Sequence, residues 1–280
     1  RSSAASDVYK RQGDGGLQQV FAGVGFKVLD NLSIGANISY IYGDITHSVT
    51  TAFSNSSSFS SVRLDKISIN DYKLDFGLQY SYKFNKKHVL NFGAVYSLGH
   101  SVNGKGYKYN QKWLNGADYP STQTGDTITN AFSLPHTFGA GLTYVYDNRL
   151  TIGADFTYQQ WEDAKFYNEK SYFSNRTKIA AGAEFVPNPY SRNYLKRVRY
   201  RVGGYYSDPY TKVDGQDGTR EYGVSAGFGF PLFQSKSILN ISGQYVRVSP
   251  KVKGMLEENY LKINIGLTFN ERWFMKWKVD

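Results

Sequence analysis

The strongest constraint on this chain is a two-residue alternation. In DYKLDFGLQYSYKF (Asp71–Phe84), Tyr72, Leu74, Phe76, Leu78, Tyr80, Tyr82 and Phe84 share one parity, and Asp71, Lys73, Asp75, Gln79 and Lys83 share the other. A period of two belongs to a β-strand with one apolar and one polar face. The pattern recurs in LQQVFAGVGFKV, LSIGANISYIYG, VLNFGAVYSLG, HTFGAGLTYVY, LTIGADFTYQQW, RTKIAAGAEFV, RVRYRVGGYY, EYGVSAGFGF, ILNISGQYVRV and YLKINIGLTFNERWF. It predicts about eleven strands of roughly ten residues, near the length that crosses a bilayer when tilted.

Two architectures use such strands. A soluble sandwich hides the apolar face between sheets, whereas a membrane barrel turns it to lipid and keeps the polar face around a lumen. Strand length favours the barrel, and so do the connections. They alternate between short turns such as LDN, NKKH and DN and longer polar segments, the longest running from Asp44 to about Asp65 and from about Asn103 to Asn130. Short periplasmic turns and long extracellular loops are the habit of outer-membrane barrels. On that orientation Tyr40, Tyr42, Tyr72, Tyr158, Tyr222 and Tyr245 fall near the outer strand ends, and Tyr80, Tyr82, Tyr144, Tyr146 and Phe269 near the inner ends. Two aromatic girdles match two membrane interfaces. Small residues between them, among them Ala94, Ala140, Ala154, Ala181 and Ala226, suit lipid better than a close-packed core. The expected fold is therefore all-β, a transmembrane antiparallel up-and-down barrel whose apolar residues, such as Leu74, Phe76 and Leu78, face lipid.

Composition narrows the function classes. Mean hydropathy is negative and no apolar run approaches the ~18 residues of a helical span, which excludes a helix bundle but not a barrel. With no cysteine, disulfide and thiolate-metal chemistry are excluded. The net charge of +10 is spread along strands and turns, with one concentration in YLKRVRYR (Tyr194–Arg201). No nucleic-acid motif accompanies it, and anionic lipid headgroups or lipopolysaccharide are the expected counterparts.

The polar parity supplies the lumen-lining candidates: Lys73, Asp75, Gln79, Asn91, Asp155, Lys178, Glu184, Arg199, Arg201, Glu221 and Lys262. Glu184 is expected to pair with Arg199 or Arg201 across neighbouring strands, in preference to the arginines presenting free charge to a ligand. GVSAG (Gly223–Gly227) matches a nucleophile elbow, but alternation runs through it, so Ser225 is expected to stay in a strand. His47, His88, His100 and His136 lack metal-ligand spacing; His100 or His136 would serve a rim-site lipid hydrolase, the weaker alternative. No cofactor, metal or catalytic residue is assigned. Aromatics in YKYNQKWLNGADYP (Tyr107–Pro120) are a candidate capture site for an amphipathic ligand.

The runs LPHTFGAGLTYVYDNRLTIGADFTY, AAGAEFVPNPYSRNYLKRVRYRVGGYYSDPY and LKINIGLTFNERWFMKWK resemble outer-membrane proteins of the FadL/TodX type, in the Bacteroidetes style. The resemblance covers about residues 17–280. It implies a barrel of fourteen strands, closed by an N-terminal hatch, that passes long-chain fatty acids or other hydrophobic compounds across the outer membrane. Residues 1–12 (RSSAASDVYKRQ) fit no strand and look adapter-derived, so the barrel is expected over 13–280, lacking the hatch and an odd number of first strands. The expected function is passive uptake of a hydrophobic small molecule without catalysis. The first alternative is a barrel whose long loops engage a surface partner.

Overall fold

The computed structural model describes residues 8–53, 59–114, 122–166, 172–213, 215–232, 237–250 and 257–269. Alternation produces strands almost throughout. Val8–Leu29 (β1), Leu32–Ala52 (β2), Phe59–Lys83 (β3) and His88–Ser97 (β4) are successive antiparallel neighbours. His100–Val102 (β5), Gly104–Leu114 (β6), Thr122–Thr129 (β7) and Phe132–Leu134 (β8) occupy the connection to Thr137–Tyr146 (β9). Leu150–Gln159 (β10), Arg176–Phe185 (β11) and Arg199–Ser207 (β12) follow, then the small pair Lys212–Val213 (β13) and Gln216–Asp217 (β14). Thr219–Pro231 (β15), Ile238–Pro250 (β16) and Glu258–Thr268 (β17) finish the order.

One sheet contains β1-β2-β3-β4-β9-β10-β11-β12-β15-β16-β17, eleven wall strands in an up-and-down order with every neighbour antiparallel. Among the described residues the outer edges of β1 and β17 are unpaired, so the wall is an open sheet with the strand order of a barrel. The short turns form as their residues require. Asp147 and Asn148 both have positive φ, 50° and 52°, the conformation of a two-residue turn whose twist matches the strands it joins.

Two sequence-based boundaries are corrected. Val8–Gln12 belong to β1 and pair with Ser48–Ala52, so the first strand begins before residue 13. The segments expected to be loops are largely strand. β2 continues to Ala52 and β3 starts at Phe59, while β6 pairs with the first half of β3 and with β7. Polar residues on both faces hide this from a pattern search, but ladder hydrogen bonds do not require an apolar side.

Apolar burial is concentrated beside these extensions. Ile41, Ile67, Ile69, Val102 and Ala131 are buried together, with Ile128, Phe132, Leu134 and Phe166 packed against them. Ile41, Ile67 and Ile69 have the parity of the polar face, and the β5–β8 ribbon is what covers them. The long-connection end of that face thus carries its own apolar cover.

Candidate functional site: the two faces of the wall

Register carries one apolar parity across every wall strand. Phe26 lies opposite Ile34, Ile34 opposite Leu78, Leu78 opposite Ala94, and Ala94 opposite Ala140. The row continues through Phe156, Ile179, Tyr206 and Tyr222. These side chains are exposed: Phe26, Leu78, Phe92, Leu142, Ile152, Phe156, Val224 and Ile263 all lie open. No layer of the described chain covers this face, which excludes the sandwich reading for the wall.

The opposite parity brings all eleven candidate residues onto the other face. They sort into groups. Lys73 bonds Asp75, which also accepts from the Ser97 hydroxyl. Gln79, Asn91 and Asp155 line a trough of about 500 Å³ floored by Gly35, Gly77, Gly93 and Gly141. Glu184 accepts from Arg199 Nη1 at 3.0 Å and Arg201 Nε at 2.6 Å, while Arg201 Nη1 reaches Asn240 Oδ1 at 2.6 Å. The Tyr205 hydroxyl donates to Glu221, with the Lys178 ammonium 5.6 Å from the Tyr205 ring centroid. Lys262 sits 4.9 Å over Tyr260.

The glycines explain the trough. Gly153, Gly182 and Gly203 are cross-strand neighbours, as are Gly35 and Gly77, and Gly93 and Gly141. A methyl at Gly141 would stand 2.4 Å from Asp155 Oδ1, so the carboxylate occupies space that only glycine leaves. Two apolar residues missed by reasoning from parity, Phe21 and Val95, also belong to this face and are exposed. Their signal was present: each breaks the polar run of its own strand.

The Ser225 and histidine readings have clear geometry. Ser225 lies inside β15 without an elbow, its hydroxyl 3.5 Å from the Gly203 carbonyl. His136 Nδ1 meets the Tyr96 hydroxyl at 2.8 Å, His88 Nδ1 the Tyr144 hydroxyl at 2.6 Å, and His100 stacks on Tyr72 with Nε2 3.5 Å from Asp71. His47 stands opposite Asp65 in the β2–β3 ladder. In the outward part of the β2–β3 ladder, the Ser68 hydrogen bond and then Lys66, 2.9 Å away, hold the Asp44 carboxyl below the usual carboxylate range.

Of the candidate capture segment, Tyr107–Leu114 forms β6, and Asn115–Pro120 lies outside the described residues. A different aromatic cluster forms at this end. Trp161 packs against Phe132, Phe173 and Tyr210 with centroids 5.2–6.3 Å apart, and Phe166 meets Phe173 at 5.8 Å. Three separate connections contribute, which is why no local motif announced it.

The fold is shared with solved barrels. A Pseudomonas aeruginosa FadL homologue matches with a TM-score of 0.55 and 17% identity over 85% of this chain and 61% of that one. The Ralstonia pickettii toluene transporter TbuX matches at 0.56 and 13%, over 84% of this chain and 64% of that one. The P. putida toluene transporter TodX matches at 0.54 and 15%, over 90% and 68%. The chain thus spans less than two thirds of the FadL homologue and of TbuX, and at these identities the likeness is one of fold. No curated protein is significantly similar to the chain. The family model described as BamG matches residues 1–280, the whole sequence, and the chain belongs to the BamG family.

Proposed function

We propose that this chain is the larger part of the wall of an outer-membrane barrel that takes up hydrophobic small molecules passively, with further strands completing the cylinder. One observation carries the reading: a single register keeps the apolar residues on one exposed face and the polar residues on the other across eleven strands. Such a wall is stable where lipid covers one side and water the other. Lipid and lipopolysaccharide are then its surroundings, and the outer membrane its location.

A hydrophobic cargo is supported by three features. The solved neighbours include two toluene transporters and a FadL homologue. The aromatic cluster around Trp161 offers an apolar landing surface at the long-connection end. Exposed Phe21 and Val95 give apolar footholds along the polar face. Uptake needs no bond-making step; binding and a concentration gradient suffice, and the eleven polar-face residues would set which head group passes. Fatty acids and monoaromatic hydrocarbons are the classes to try.

The test is uptake of a labelled long-chain fatty acid and of toluene into liposomes holding the full-length protein. Rates above protein-free liposomes, lowered by Trp161→Ala, are expected. Background rates with both ligands would overturn the reading. A partner-binding barrel is the second reading, favoured by the length of β2 and β3. They have 21 and 25 residues, where about 9–11 cross a bilayer. Their excess, with β6 and β7, is an extramembrane sheet large enough to hold a protein.

A further inference from the structure

Three neighbouring short turns at one end of the wall carry an unbalanced charge. Lys86 and Lys87 are exposed between β3 and β4, Arg149 between β9 and β10, and Arg192 and Lys196 between β11 and β12. Those are five exposed cations, with the half-buried Arg197 also in the third turn; the same turns hold one carboxylate, Asp147. None of the five exposed cations forms a salt bridge among the described residues. Cations elsewhere are paired: Lys27 with Asp30 beside the β1–β2 turn at the same end, and at the opposite end Arg63 with Asp65, Lys66 with Asp44 and Arg247 with Glu257.

Backbone hydrogen bonds join the three turns into one ledge. The Asp147 amide donates to the Lys87 carbonyl at 2.7 Å, and the Val186 amide to the Arg149 carbonyl at 2.7 Å. Within the turns, Asn85 Oδ1 accepts from the Lys87 and His88 amides, Asn188 Oδ1 from the Tyr190 amide and Asn193 Oδ1 from the Leu195 amide. The cations are therefore presented from a fixed platform.

Apolar side chains stand among them. Tyr190 is 93% exposed, Leu195 64% and Phe84 60%. The Tyr200 hydroxyl, which belongs to the apolar face, donates to the Leu195 carbonyl at 3.1 Å, so this turn folds against the margin of the lipid-facing wall. Exposed apolar groups with unpaired cations beside them, at the edge of an apolar surface, make a headgroup-level anchor: the rings and Leu195 enter the acyl boundary while the cations meet phosphates. An acidic protein would answer the charge, but on the membrane-wall reading it would have to compete with lipid at Tyr200 and Phe228.

We infer that this ledge binds the phosphates of anionic glycerophospholipids in the leaflet facing the short turns. The inference rests on the membrane-wall reading above. The test is native mass spectrometry of the full-length protein in detergent, with added phosphatidylglycerol or phosphatidylcholine of the same chains. Preferential retention of phosphatidylglycerol is expected, falling by about tenfold in the variant K86Q/K87Q/R149Q/R192Q/K196Q and weakening at high salt. Circular dichroism checks that the variant keeps its strands, and Y190A/L195A is a second probe that should lower retention of both lipids while keeping the preference. Equal retention of the two lipids by the native protein overturns the inference and leaves the barrel intact. So does loss in the variant of polyglutamate binding alone, which would point to an acidic protein. Retention of neither lipid would count against the membrane wall itself.

Discussion

Glu184 serves two guanidiniums at once. Its side chain is 27% exposed, and those of Arg199 and Arg201 are 41% and 37%, so water screens the pairs and each is worth well under about 1 kcal/mol. If the polar face lines a lumen as proposed, what these groups set there is the local field. Replacing Glu184 with Gln should change stability by less than about 1 kcal/mol while leaving two positive groups without their counter-charge. In planar bilayers the full-length protein should then shift its reversal potential toward anion selectivity, and Arg201→Gln should shift it the other way. The Glu184 pairings were legible from sequence because β11 and β12 are consecutive strands with a fixed register. The third contact was not. Arg201 reaches Asn240 across β15, and it does so because β15 carries Gly227 and Gly229 at that level. A methyl at Gly229 would come 3.3 Å from Asn240 Oδ1 and 3.1 Å from Arg199 Cβ, so the reach depends on a strand that bears no side chain there.

At the scale of elements, the outward continuation of β2 and β3 is the feature that reshapes the molecule. Thr46–Thr51 and Arg63–Ser68 lack apolar alternation, so they look like loop; they are held as strand by ladders on both sides. The isoleucines Ile45, Ile67 and Ile69 were the one hint of a covered side. Where β1 and β2 leave the wall, Gly15 and Gly43 adopt φ of 102° and 145°, and a methyl at Gly43 would lie 2.3 Å from the Gly16 carbonyl oxygen. Gly43→Ala therefore imposes both a disfavoured backbone and a collision, at a cost on the order of 1–3 kcal/mol. Hydrogen exchange should quicken in Val8–Gly16 and Asp44–Ala52 and stay slow in Leu32–Tyr42. Equal quickening in both regions would mean that the extension and the wall unfold as one unit.

For the whole molecule, sidedness is decisive and can be tested with adjacent residues. Leu142 lies on the apolar face and Thr143 on the polar face beside Asn91. Leu142→Arg near the midplane should cost ~2–4 kcal/mol in urea unfolding from lipid vesicles, whereas Thr143→Arg should cost far less. Comparable losses would put both faces in the same medium. Alternation alone determined that each strand has two faces, about how many strands there are, and which hairpins form, because side-chain direction along a strand follows from backbone geometry within a few residues. Tertiary structure decided the rest. Only the assembled sheet shows that no layer of the described residues covers the apolar side, that polar segments are recruited as strands, and that Phe132, Trp161, Phe173 and Tyr210 meet. Those outcomes rest on contacts between residues remote in the chain, and no local period encodes which remote surface will arrive.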